Sequence, residues 1–255
     1  MYNSIYDTLI IGKKVIYLPS CHSTNDIAAE LVRSGVTMEG AVVITDDQTK
    51  GRGQRGTTWL SQPRSNLTMS VILTPTFLSI QDQFLISQAM ALGISSYLSN
   101  YSDEVKIKWP NDIYIGHKKI CGTLIENSIQ GSRLASAVVG MGININQTDF
   151  SNPRATSLAK ESGKEFLLTD EFYQLIQHLD AWYFKLKSTR NNQEIRQAYL
   201  EKLLGYNELC LFRYQNEILS GTVTGITDIG KLCVRFENQP AAKELDLKEV
   251  EWIWD

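Results

Sequence analysis

Apolar residues in this 255-residue chain fall into short runs that change rhythm along its length. Val15–Leu18 and 41–45 (AVVIT) read as short buried strands, and Leu67–Leu73 as another, stopped before Pro75. Between the first two, Ser23 or Thr24 can cap a helix that runs through Ile27, Leu31 and Val32, with Gly35 past its end. Leu85, Ala89 and Leu92 mark a helix over 81–101. A strand over 105–109 is ended by Pro110, and two more follow at 120–126 and 137–143. Phe172, Leu175, Leu179, Tyr183 and Leu186 recur at helical spacing, and a further helix is expected from about Gln193 to Leu204. After Gly205 the period drops to two, with Leu232, Val234 and Phe236 alternating with Cys233 and Arg235. ELCLFRY, EILSGTVTGI, KLCVRF and KELDL, separated by short turns, predict a small β-barrel. The expected division is 1–204 for a larger domain of helices and strands, and 205–255 for the barrel.

Composition narrows the class. Hydrophobic content of 43% and charged content of 21% are those of a globular protein, and a net charge of −3 argues against a general nucleic-acid or membrane-surface binder. No run approaches the ~20 apolar residues of a membrane span, and the N-terminus lacks the basic start of a signal peptide. Cys21, Cys121, Cys210 and Cys233 lie far apart without a CxxC pair, as expected for reduced thiols in a cytoplasmic protein. Histidines stand scattered at 22, 117 and 178, so neither a metal site nor a Ser–His–Asp triad is expected.

Against that background KGRGQRGTTW, residues 50–59, stands out. It matches GxGxxG formally, but the residues after it do not open an apolar-periodic helix, and no Walker or kinase motif is present. Residues 46–66 carry Lys50, Arg52, Arg55 and Arg64 against Asp46 and Asp47, four cations minus two carboxylates, a local +2. Glycine N–H groups and arginines suit phosphate, so this loop is expected to be disordered when empty and to close over a phosphoanhydride when filled. Alternatively it is a solvated basic loop. In KWPND, Pro110 breaks a strand and Asn111-Asp112 suit a turn, or place a carboxylate and an amide at a strand end. Lys119 precedes an apolar strand containing Gly122, a residue type that marks close approach to a backbone. In GMGININ the alternate glycines bare one strand face, and Asn144 can bond a purine edge, or the strand simply packs under a helix.

The order of these motifs is more specific than any one of them. STN (Ser23–Asn25), Q-x-x-GRG-x-x-G-x-x-W (Gln48–Trp59), KWPND (Lys108–Asp112), K-I-C-G-T-L-I-E (Lys119–Glu126), GMGININ (Gly140–Asn146) and ATSL (Ala155–Leu158) together resemble the biotin protein ligases. The resemblance implies an α+β fold: a mixed-sheet catalytic domain related to class II aminoacyl-tRNA synthetases, followed by an SH3-like β-barrel. It implies that biotin and MgATP form biotinyl-5′-AMP, from which a lysine on a biotin carboxyl carrier domain takes the biotin. It places Ser23, Thr24 and Gln48 at the ureido head of biotin, with Asn25, Gly51, Gly53 and Gln54 in the same binding set. It makes Arg52 and Lys119 the cations at the biotin carboxylate and α-phosphate, and has Gly122 admit the ligand close to its strand. Trp59 and Asn144 fall at adenine, with Arg55 and Lys248 toward the nucleotide, and Asp112 orients Mg2+ or the incoming lysine.

Gln54 departs from the arginine of many relatives, which implies weaker retention of the intermediate. Only about 14 residues precede Val15, fewer than a helix-turn-helix needs, so no sequence-specific DNA binding is expected. A lipoate–protein ligase is the nearest rival, but its RRxxGGG stretch is absent. A non-enzymatic biotin- or partner-binding protein on the same scaffold is the other rival, against which Arg52, Lys119 and Asn144 argue. An exposed strand edge can pair with a second copy, giving a homodimer, or with the carrier.

Overall fold

A computed structural model describes residues 2–36, 38–188, 192–237 and 239–253, with the side chain of Arg55 outside the description. Seven strands form a mixed sheet: β1 (Val15–Leu18), β2 (Val42–Thr45), β3 (Leu67–Leu73), β4 (Val105–Lys108), β5 (Asp112–Ile115), β6 (Lys118–Gln130) and β7 (Arg133–Ile143). Their order is β1-β2-β3-β7-β6-β5-β4, with β1 parallel to β2 and every other pair antiparallel.

The two faces of this sheet are covered unequally. On one face, Val42, Ile44, Leu67, Met69, Val71, Val139 and Ile143 join the large core with α2 (Phe84–Leu98), α4 (Leu168–Ser188) and α5 (Gln193–Lys202). Helix α2 is buried nearly all round rather than along one stripe, because α4 and α5 pack on the side away from the sheet. On the other face α1 (Thr24–Arg33) is the only helix that packs among the described residues, over Ala41, Val43, Ile72 and Val138. Beyond α1 that face is left open, and there the strands carry Gly122, Leu124, Gly140 and Gly142.

Several expectations are refined. The strand at β3 matches its predicted span, while β6 and β7 run longer than 120–126 and 137–143. Asp112 does not share the turn with Asn111 but opens β5, paired with Lys108, while the Asn111 amide donates to Thr123 O (3.3 Å). Helix α3 (Leu158–Ser162), capped by Ser157, also appears where no helix was expected.

The C-terminal strands β8 (Leu209–Tyr214), β9 (Glu217–Ile226), β10 (Leu232–Phe236), β11 (Lys243–Leu245) and β12 (Val250–Ile253) form a second, antiparallel sheet of order β11-β10-β9-β8-β12. It folds over Phe212, Val223, Val234, Phe236 and Trp252 as a small barrel-like unit. Trp109 Nε1 donates to Gly230 O (2.8 Å) and joins it to the larger sheet.

One buried carboxylate fastens the N-terminal segment. Asp180 on α4 accepts the N–H groups of Leu9 (2.6 Å), Ile10 (2.7 Å) and Ile11 (2.7 Å). An alanine here leaves three main-chain donors without their acceptor, which costs about 3 kcal/mol. Asp180→Ala is therefore expected to lower the Tm by roughly 6–12 °C for a chain of this size. Thermal unfolding followed by circular dichroism checks this, and a fall of under about 2 °C would refute the anchoring role.

Candidate active site

The open face carries a cavity of about 510 Å³. Its floor is set by glycine. Gly122 and Gly142 are cross-strand partners, and the indole of Trp59 lies over both. A Cβ on Gly142 would stand 2.3 Å from Trp59 Cε2, and one on Gly122 2.9 Å from Trp59 Cζ3. The glycine at 122 lines the cavity and leaves room there for the indole and the Lys119 tail. Gly140 makes room in the same way for Asn25, whose Oδ1 is 2.0 Å from where a Cβ would be.

Polar side chains at the start of α1 form one connected group. Ser23 caps α1 by accepting from Asp26 N (3.3 Å), and Gln48 Oε1 accepts from Thr24 N (2.8 Å). Ser70 Oγ donates to Asn25 Oδ1 (2.6 Å) and lies 2.8 Å from Thr24 Oγ1. Asn25 Nδ2 donates to Glu126 (2.8 Å). Thr24 and Asn25 are therefore held in fixed rotamers at one end of the cavity. Sequence reading missed Ser70 and Thr68. Their signal is two polar residues at period two inside the otherwise apolar strand LTMSVIL.

The glycine-arginine loop does not lie open. Gly53 N donates to Thr57 O (2.7 Å), Trp59 N to Gly51 O (3.1 Å), and residues 54–56 make a 3-10 turn, so 51–59 form a tight hairpin. Side chains anchor it at two points. Gln54 Nε2 donates to Asn111 Oδ1 (2.8 Å), and Arg52 pairs with Asp26 (2.6 Å) and Glu126 (3.0 Å). Partial burial works against the Arg52 cation, but the two carboxylates more than offset it, so its pKa sits above the ordinary arginine value.

Lys119 reaches the cavity because of a β-bulge. Ile113 pairs with Cys121 but Tyr114 pairs with Lys119, so Ile120 is an extra residue on β6. In an unbroken strand Lys119 would share the face of Cys121, which is fully buried in the core. The extra residue turns Lys119 to the side of Gly122. There its Nζ is 2.6 Å from Asp112 Oδ2 and 5.8 Å from the Trp59 ring centroid. Lys108, across from Asp112 on β4, packs instead between the rings of Tyr114 and Trp252. Burial pulls its pKa below the usual lysine value, with Asp112 opposing.

Asn144, just past β7, donates Nδ2 to Thr156 O (2.9 Å), and its Oδ1 has no hydrogen-bond partner among the described residues. Trp59 Nε1 is likewise buried and unpaired. Leu247 and Lys248 extend from the C-terminal unit to the same cavity, and Phe150, which sequence reading missed, faces it from the loop after Asn146. Of the expected site residues, all but two line this one cavity. Gly51 faces a second hollow of about 330 Å³ behind the hairpin, and the side chain of Arg55 lies outside the described residues. The arrangement offers two cations at one cavity, each already held by carboxylates, beside a polar pocket and an unpaired buried acceptor.

Comparison with known proteins points the same way. The Biotin/lipoate A/B protein ligase family matches residues 17–144. A bifunctional ligase/repressor BirA of Bacillus spizizenii is 31% identical over 255 residues, covering 96% of this chain and 75% of the relative. A biotin–[acetyl-CoA-carboxylase] ligase of Paracoccus denitrificans is 27% identical, covering 83% of this chain and 91% of its own. Among solved structures, a biotin protein ligase from Aquifex aeolicus in complex with biotin and ATP superposes with a TM-score of 0.77 at 26% identity, over 95% of this chain and 100% of that one.

Proposed function

The chain belongs to the biotin/lipoate A/B protein ligase family, and from that premise we propose that it is an ATP-dependent biotin–protein ligase acting on a biotin carboxyl carrier domain. The observation that carries this reading is the single cavity shared by Arg52, Lys119 and Asn144 on the glycine-floored face of the sheet.

The chemistry follows from charge. A biotin carboxylate oxygen attacks the α-phosphorus of ATP, the bond to the bridging oxygen breaks, and pyrophosphate leaves with that electron pair. Two anions must meet, and Lys119 and Arg52 offset their repulsion and the charge that grows in the transition state. To do so Arg52 exchanges Asp26 and Glu126 for the substrate anion. Both pairs are substantially exposed, so the exchange costs at most about 1 kcal/mol for each pair given up. In the second step a neutral lysine amine of the carrier attacks the acyl carbon, an amide forms, AMP departs and one proton is released.

Thr24 and Gln48, with Ser23 and Asn25 beside them, receive the ureido head, which needs both donors and acceptors. Trp59, Asn144 and Lys248 line the nucleotide end. Asp112 is held by Lys119 (2.6 Å), and the described residues contain no cluster of three metal ligands. A Mg2+ ion carried in by the nucleotide phosphates and touched by one carboxylate fits such a site. The larger sheet is read as the synthetase-related catalytic domain, residues 1–204, and residues 205–255 as an SH3-like barrel. Four free cysteines and the absence, among described helices, of one long and apolar enough to cross a membrane agree with a cytoplasmic place of action.

The deciding experiment is ATP–pyrophosphate exchange with biotin and, separately, with lipoate. Exchange dependent on biotin is expected. Exchange with lipoate alone would move the activity to the rival ligase, and binding of biotin without exchange would make the protein a non-enzymatic binder.

A further inference from the structure

Glu126 does not line the cavity, yet it binds two of the side chains that do. Its Oε1 accepts from Arg52 Nη1 (3.2 Å) and its Oε2 from Arg52 Nη2 (3.0 Å), and Oε2 also accepts from Asn25 Nδ2 (2.8 Å). Asn25 has little room to shift. It is buried, Ser70 donates to its Oδ1 (2.6 Å), and it fills the slot left by Gly140. Glu126 is thus fixed from the pocket side by a neutral amide and binds the hairpin side by charge. Asp26 is a second acceptor for Arg52 Nη2 (2.6 Å), placed in the first turn of α1, where helix N–H groups favour a carboxylate. Both carboxylates therefore have support besides the arginine.

We propose that Glu126, with Asp26 beside it, is a resting seat for Arg52 that competes with the bound anion for this side chain, so that the two carboxylates set how long an anionic ligand is retained. The inference rests on the reading of Arg52 as a cation at the biotin carboxylate and α-phosphate. One guanidinium cannot pair with Glu126 and face a ligand with the same two nitrogens. An anion that binds must take them from Glu126, and an anion that leaves hands them back. Arg52, Asp26 and Glu126 are 42%, 40% and 39% exposed, so water supports either arrangement and the two stay close in free energy. Apparent affinity then scales with the fraction of molecules whose Arg52 is unseated. Glu126 is a positioning residue: it acts through Arg52 rather than on the ligand.

The test uses Glu126→Gln, whose amide oxygen still accepts from Asn25 while its NH2 meets the arginine donor to donor. The pocket is kept and the seat is lost. Radiolabelled biotinyl-5′-AMP is loaded directly onto the protein and chased with unlabelled adenylate. Its release is expected to slow about threefold, the factor that an exposed pair carries. Asp26→Asn should slow it by a similar factor. A carboxylate that served only the fold would give the opposite sign, with faster release from a looser site. Glu126→Gln in an Arg52→Gln background separates competition from plain repulsion of the ligand. No change is expected there, and the same slowing there overturns the proposal. Release unchanged or faster in the folded single variants overturns it as well, and if one of them does not fold the other decides. A wild type that neither binds the adenylate nor shows biotin-dependent pyrophosphate exchange fails the underlying reading, and this proposal with it.

Discussion

Lys119→Ala is expected to lower biotin-dependent pyrophosphate exchange by roughly a thousandfold, the upper range for removing one preorganised charge from a transition state. The loss should fall on kcat/KM with little change in stability. The Lys119–Asp112 pair is 28% and 29% exposed on its two sides, so solvent screening leaves it worth no more than about 1 kcal/mol to the fold. Alanine also frees the Asp112 carboxylate beside an incoming anion, which adds repulsion to the loss of attraction. Lys119→Arg keeps the charge but not the compact ammonium seated along Gly122, and should recover part of the rate. Steady-state exchange kinetics alongside thermal unfolding separate the effects. A Lys119→Ala protein with exchange within about fivefold of wild type would remove this side chain from the chemistry.

Gly142→Ala is expected to lower kcat/KM by about a hundredfold through a single methyl group remote from any reacting atom. The new Cβ would sit 2.3 to 2.5 Å from three indole atoms of Trp59, and the strand beneath is paired on both sides and cannot retreat. The indole must move. It sits on the hairpin that carries Arg52, so displacing the ring displaces the cation. Relief through the hairpin keeps the stability cost near the low end of overpacking, about 1 kcal/mol. A further Trp59→Ala change removes the clash, so the double variant should be no worse than Trp59→Ala alone. Losses that simply add would show that Gly142 and Trp59 act separately.

Much of this arrangement can be read from the chain before any coordinates, and the reasons it stops are physical. The strands at Leu67–Leu73 and Glu217–Ile226 keep their predicted ends because turn residues bound them on both sides. DIYI in β5 and VEWI in β12 went unread, because each follows a turn and has an acidic residue within its first two positions, which masks the apolar run. The motif residues were legible as a set, since each is an unusual type for its place: an arginine among glycines, or a lysine at the root of an apolar strand. Their partners were not. Asp26 and Glu126 are ordinary acidic residues, 26 and 74 positions from the arginine they hold, and only the folded sheet brings the three together. The contacts that anchor the loop lie outside it, at Asp26, Asn111 and Glu126.

The bulge at Ile120 carries a lesson about what kind of change this stretch can absorb. Exchanging the side chain at that position alters packing; adding or losing one residue anywhere between Lys119 and Gly122 inverts the parity of the strand and sends the ammonium into hydrocarbon. Here the gene must conserve a count as strictly as an identity, so a one-codon indel does more harm than most missense changes around it.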